Sequence, residues 1–100
     1  MIVPYEHTGT LAGLSEEATG EMCRLAKRSE LALAQEYHPD GFNIGMNLGK
    51  AAGAGIADHL HLHVVPRWVG DANFVSIVGE TRVLPEDLAT TYQRLKRHFD

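Results

Sequence analysis

The sequence predicts an α+β fold with two helices packed on one face of an antiparallel sheet, and three observations carry that prediction. Residues 15–37 and 85–98 place apolar side chains at helical spacing, while residues 42–48 and 59–64 alternate between apolar and polar or glycine. The two alternating segments are consecutive and joined by a loop of small residues, so an antiparallel pair is the most economical connection. The expected order is strand, helix, strand, strand, strand, helix. One hundred residues suffice for one small domain with a modest core, so residues 1–100 are expected to form a single domain.

The opening "MIVPYEH" is apolar and β-prone as far as Pro4, and is read as a short strand. Ser15 is a good N-cap, and Glu16 and Glu17 stand where the helix dipole favours negative charge. Ala18, Met22, Leu25, Ala32 and Leu33 follow on one stripe, so a helix is expected from Ser15 to Tyr37. Pro39 stops it, and Asp40-Gly41 makes a turn. The single cysteine, Cys23, cannot form an internal disulfide and is expected to be a small buried residue of this helix.

In "GFNIGMNLG", Phe42, Ile44, Met46 and Leu48 form one face, and Asn43, Gly45, Asn47 and Gly49 form the other, which carries nothing bulky. Glycine weakens a strand and is most easily explained where a ligand or another backbone comes close; a plain solvated edge is the alternative. Lys50 to Asp58 form the small-residue connection, and the next strand runs to Pro66. "NFVSIV", Asn73 to Val78, is a further strand. The last helix is expected from Pro85 to His98, with Glu86 and Asp87 in its first turn and Leu88, Tyr92, Leu95 and Phe99 on one stripe.

Composition narrows the function. A formal charge of −4 supplies no surface for gripping a nucleic-acid backbone, and "KRSE" and "RLKRHF" are only short basic patches, so polymeric nucleic acid is not an expected partner. No apolar run approaches the roughly 20 residues that span a bilayer, and the amino terminus lacks the layout of a signal peptide. Neither a membrane partner nor secretion is expected, and the chain reads as cytoplasmic.

The informative stretch is "DHLHLHVVPRW". Three of the six histidines alternate with apolar residues, so on a strand His59, His61 and His63 share one face and Leu60, Leu62 and Val64 face the core. If the preceding strand also turns its apolar residues inward, Asn43 and Asn47 join the imidazoles. Alternate residues on a strand are about 6.6 Å apart, so the outer two histidines are about 13 Å apart. Zinc–nitrogen bonds of about 2.0 Å therefore let two neighbours converge on an ion, but not three in line. No CxxC, HExxH or paired carboxylate supplies further ligands, and no metal ligand or cofactor is assigned. Neutral imidazole is instead a good nucleophile near pH 7. A central imidazole could attack an electrophilic phosphorus while flanking imidazoles and loop amides hold phosphate oxygens. A catalytic triad, a binding module that keeps the triad without turnover, and a metal-binding β protein all stay open at this point.

"HLHLHVV" resembles the signature of the histidine triad (HIT) family of nucleotide hydrolases and transferases, His-φ-His-φ-His-φ-φ with φ apolar. "IVPYEH" resembles the family's upstream Pro-x-x-His, "NLGKAAGAGIADH" its glycine-rich approach, and "HVVPRWVGDANF" looks most like the bacterial branch related to diadenosine tetraphosphate phosphorylases. The resemblance implies a HIT-like fold in which His61 is the nucleophile on the α-phosphorus and His59 orients it. It places His63 and His7 on phosphate, with Asn47, Gly53, Gly55 and Ile56 in the substrate pocket. It implies a nucleotide or dinucleoside polyphosphate as substrate, water or inorganic phosphate as acceptor, no metal in the nucleophilic step, and a homodimer. Two departures accompany it. Where many relatives carry Gln or Ser before the triad, this chain has "GAGIAD", and the family's usual N-terminal strands and helix before "MIVPYEH" are missing. Arg67 is read either as a phosphate ligand or as an ion-paired surface residue, and Trp68 either as a base-stacking or as a packing residue.

Overall fold

A computed structural model of the chain describes residues 1–55, 59–71 and 86–100. Helix α1 spans Glu16–Tyr37. Its N-cap is Ser15, whose Oγ accepts the Ala18 N–H, and Glu16 and Glu17 occupy the first turn as the sequence predicts. At the other end His38 adopts a left-handed conformation, φ 51°, and its N–H closes on the Ala34 carbonyl at 3.1 Å. Pro39 then makes a return to helix impossible.

Strands β1 (Gly41–Gly45) and β2 (His63–Arg67) pair antiparallel, with Ile44 opposite Val64 and Asn43 opposite Val65. The Asp40 N–H extends the ladder to the Arg67 carbonyl. That bond turns the backbone groups of 63, 65 and 67 toward β1 and those of 62, 64 and 66 away from it. Pro66 therefore sits in a strand at a position where its missing N–H costs β1 nothing. Upstream, the second edge is occupied instead: Ile2 and Leu62 exchange both backbone bonds at 2.8 and 2.9 Å, and the Leu60 N–H reaches the Thr8 carbonyl.

Several boundaries differ from the sequence reading. The first strand contracts to the single bridge at Ile2, because Pro4 has no N–H to continue a ladder. β1 ends at Gly45 rather than Leu48, where Asn and Gly give no cross-strand side-chain pairs, and Gly49 at φ 82° leads into a 3-10 turn over Lys50–Ala52. The last helix, α2, covers Leu88–Lys96 and is capped by the Asp87 carboxylate, which accepts the Thr90 N–H at 2.8 Å. The expected strand 73–78 and the proposed start at Pro85 lie outside the described residues.

The core gathers where α1 crosses β2. Leu14, Met22, Leu60 and Leu62 are buried together, with Ile2, Ala18, Ala26, Met46 and Val64 against them. Cys23 is exposed, contrary to expectation, because it stands one residue, about 100° of helix, past the buried Met22. The apolar stripe of α2 is likewise open, with Leu88 at 86% and Tyr92 at 58% exposure. α2 is held to α1 by charge. Glu36 takes Arg94 at 3.0 Å, Arg97 at 2.5 Å and His98 at 2.8 Å, while Glu86 takes Arg94, Thr91 and the Tyr37 hydroxyl, each at 2.6 Å. The Arg94 guanidinium also lies over the Tyr37 ring, 4.3 Å from its centroid. These donors hold the Glu36 carboxyl down at about 2, His98 contributing most, and hold Glu86 below the usual carboxylate range.

Candidate functional site

The alternating row folds as its spacing requires. Leu60 and Leu62 are buried, at 2% and 8% exposure, and His59, His61 and His63 are half-buried on the opposite face. Residues His59 and His61 precede β2 and are steadied by the N-terminal segment, whereas His63 opens β2 and stands opposite Gly45. A Cβ at Gly45 would meet nothing within 4 Å, so the sheet face across from His63 is an open floor. Asn43 lies on that same face by register.

Hydrogen bonds to backbone carbonyls fix how two imidazoles carry their protons. The His61 Nδ1 lies 3.4 Å from the His59 carbonyl, and the His59 Nε2 lies 3.0 Å from the Pro4 carbonyl. A carbonyl only accepts, so these contacts select the Nδ1–H form of His61 and the Nε2–H form of His59. His61 thus keeps its lone pair on Nε2, turned away from its backbone anchor. The His61 and His63 rings meet edge to face, 4.8 Å apart at 83°. His7, fifty-two positions before His59, meets it likewise, 5.0 Å apart at 82°.

Asn47 lies past the end of β1, and a Cβ on Gly53 would come within 3.9 Å of its Nδ2, so the glycine loop folds back onto the asparagine. Gly53 has φ 91°, and its N–H closes the 3-10 turn on the Lys50 carbonyl at 3.0 Å. At Gly55 a Cβ would meet nothing within 4 Å. Ile56 lies outside the described residues. Among the described residues, no three His, Cys, Asp or Glu side chains are grouped to hold a metal ion.

Of the two readings of Arg67, the structure favours the ion pair. Its guanidinium binds the Asp71 carboxylate at 2.9 Å and the Asn43 carbonyl oxygen, and the bond between Arg67 and Asp71 raises the first and lowers the second from their ordinary values. Asp71 also accepts the Trp68 N–H, and Asp40 accepts the Val69 N–H. The sequence reading missed Asp71, although "WVGD", with Gly70 at φ 95°, carries the turn that presents it. It also missed Glu6, whose carboxylate accepts both the N–H and the hydroxyl of Ser15, at 2.9 and 2.5 Å, and is held below its ordinary value by them. Nothing periodic marks that contact.

A two-stranded antiparallel ladder, a helix packed on it, and a row of imidazoles on the open face make an α+β arrangement of the histidine-triad kind. Comparison with known proteins agrees: the family model of the HIT domain matches residues 1–69. The chain belongs to the HIT family. It is 41% identical over 95 residues to an AP-4-A phosphorylase of Mycobacterium tuberculosis, an alignment covering 95% of this chain and 49% of that protein. It is 28% identical over 67 residues to the adenosine 5'-monophosphoramidase hnt1 of Schizosaccharomyces pombe, covering 67% of this chain and 47% of that one. A zinc-bound histidine triad family protein from Mycobacterium smegmatis superposes with a TM-score of 0.71 at 33% identity, over 96% of this chain and 64% of its own. The chain thus spans about half the length of these two sequence relatives.

Proposed function

We propose that this chain carries the catalytic half of a nucleotidyl hydrolase or transferase, acting at the α-phosphate of a nucleotide conjugate such as diadenosine tetraphosphate. The observation that carries the reading is the His61 Nδ1 contact to the His59 carbonyl, which in the neutral ring puts the lone pair on Nε2, the atom available as nucleophile. Nε2 attacks the α-phosphorus, a P–N bond forms, and the P–O bond to the rest of the conjugate breaks with its electron pair on the departing phosphate. With diadenosine tetraphosphate the leaving group is ATP and the intermediate is adenylyl-His61. Water then yields AMP, or inorganic phosphate yields ADP, and Nε2 is regenerated. His63 and His7 contact phosphate oxygens, and Asn47, Gly53, Gly55 and Ile56 line the rest of the pocket. The names of the two relatives, a dinucleoside polyphosphate phosphorylase and a nucleoside phosphoramidase, support both the α-phosphate and the phosphorus–nitrogen chemistry.

Incubation with diadenosine tetraphosphate, with and without phosphate, tests the reading. ATP plus ADP appearing only with phosphate identifies a phosphorylase, and ATP plus AMP a hydrolase. His61→Ala should abolish turnover while leaving nucleotide binding intact; undiminished turnover removes His61 from the mechanism. A second reading is a nucleotide-binding module that keeps the triad without turnover. Binding by the wild-type chain with no product from either acceptor would establish it. Among the described residues no helix is long and apolar enough to cross a membrane. Separately, the proposed reading takes the protein as cytoplasmic and as a homodimer, and light scattering checks the oligomeric state.

A further inference from the structure

The segment that holds His59 does not run straight along the triad strand. With Ile2 paired to Leu62, an antiparallel register would put Pro4 opposite Leu60. The Leu60 N–H goes instead to the Thr8 carbonyl at 2.8 Å, while the Pro4 carbonyl takes the His59 Nε2–H at 3.0 Å. The residues between Pro4 and Thr8 therefore loop outward from the strand, and Pro4 lacks the N–H that would tie them back. His7, in this loop, packs edge to face on His59.

A second side chain of the loop, Glu6, reaches the start of α1. The Glu6 carboxylate accepts the Ser15 N–H at 2.9 Å and the Ser15 O–H at 2.5 Å. Ser15 is rigid because its Oγ also accepts the Ala18 N–H at 3.1 Å as the N-cap of a 22-residue helix. Glu6 thus fastens the loop to the start of α1, in addition to the contact of His7 on His59.

We propose that Glu6 is a positioning residue for the triad: by pinning the Pro4–Thr8 loop to Ser15 it holds the Pro4 carbonyl on His59, and the His59 backbone in turn holds the tautomer of His61. Its place in catalysis rests on the reading of His61 as nucleophile, but its action on His59 does not. The Glu6 carboxylate hydrogen-bonds Ser15 rather than an imidazole of the row. Its contribution is geometric, and a nucleophile displaced by a fraction of an ångström loses rate rather than affinity.

The test uses Glu6→Ala and Glu6→Gln, the second keeping one oxygen for the Ser15 N–H. Imidazole 15N shifts in the whole chain read the tautomers directly. Wild type should show His59 as Nε2–H and His61 as Nδ1–H; Glu6→Ala should turn His59 into a tautomer mixture, and Glu6→Gln should fall between. On a fluorogenic adenylate ester, Glu6→Ala should lower kcat by about tenfold with KM within about twofold, a split expected of misorientation. Unchanged His59 tautomer populations in a folded Glu6→Ala or Glu6→Gln chain overturn the proposal whatever the turnover does. If the wild-type chain has no turnover, the nucleophile reading fails while the tautomer measurement still decides the role of Glu6.

Discussion

Replacing Leu60 by alanine attacks the fold directly behind the nucleophile. Leu60 is 2% exposed, lies between His59 and His61, and shares one cluster with Leu14, Met22 and Leu62. The substitution removes three carbon groups, each worth about 0.8 kcal/mol when buried, so the transfer loss is about 2.4 kcal/mol. The cavity left behind adds to this, but Met22 is unbranched and can lean into the space, which puts the total near 3 kcal/mol, toward the lower end of buried leucine-to-alanine changes. A 100-residue domain has roughly 5–15 kcal/mol in all, so this one change consumes a fifth to more than half of it. In urea, with a slope of about 1 to 1.5 kcal/mol per molar for so small a chain, the unfolding midpoint should drop by about 2 to 3 M. Val65→Ala is the matched control, since Val65 is 42% exposed on the opposite face; its loss should stay below about 1 kcal/mol. If Leu60→Ala costs no more than Val65→Ala, the assignment of leucines inward and imidazoles outward is wrong.

Two further perturbations test the C-terminal end of α1. Glu36 is held at about 2 by His98, Arg97 and Arg94, below its ordinary 4.5, so the folded chain binds fewer protons than the unfolded one in that interval. Its contribution is therefore fully present above about pH 4.5 and is lost as pH falls toward 2; Glu86, lowered by Thr91, Tyr37 and Arg94, acts in the same direction. Amide exchange across Leu88–Lys96 should accelerate in that window and should show a smaller acid step in Glu36→Gln; an identical step in both chains refutes the anchor. At the cap of the same helix end, His38→Gly relieves a left-handed residue and should stabilise the chain by about 0.5 kcal/mol, the steric relief exceeding the entropy glycine adds to the unfolded state. A lowered urea midpoint for His38→Gly would show that the His38 side chain contributes more than its backbone costs.

What could be read from the sequence was what local geometry dictates. Ser15 and Pro39 bracket α1 because caps and imino acids act within one turn, and the outward row of His59, His61 and His63 follows from a period of two whatever the partners are. The pairing of β1 with β2 followed from adjacency alone. Long-range contacts left no such mark. His7 reaches His59 because a loop returns to the strand; Arg94 finds Glu36 across 58 positions; Glu6 meets Ser15 through a turn of irregular backbone. Cys23 and the stripe of α2 show the complementary failure, in which helical spacing sorts residues onto a face without saying that anything will cover it.

The histidine row also crosses a handover between two backbone neighbours. Up to Leu62 the strand is steadied from one edge by the N-terminal segment, and from His63 onward it is steadied from the other edge by β1. His61 and His63, with rings 4.8 Å apart, consequently answer to different parts of the chain. A substitution among residues 2 to 8 should therefore shift the resonances of His59 and His61 more than those of His63, whose backbone is tied to β1 instead.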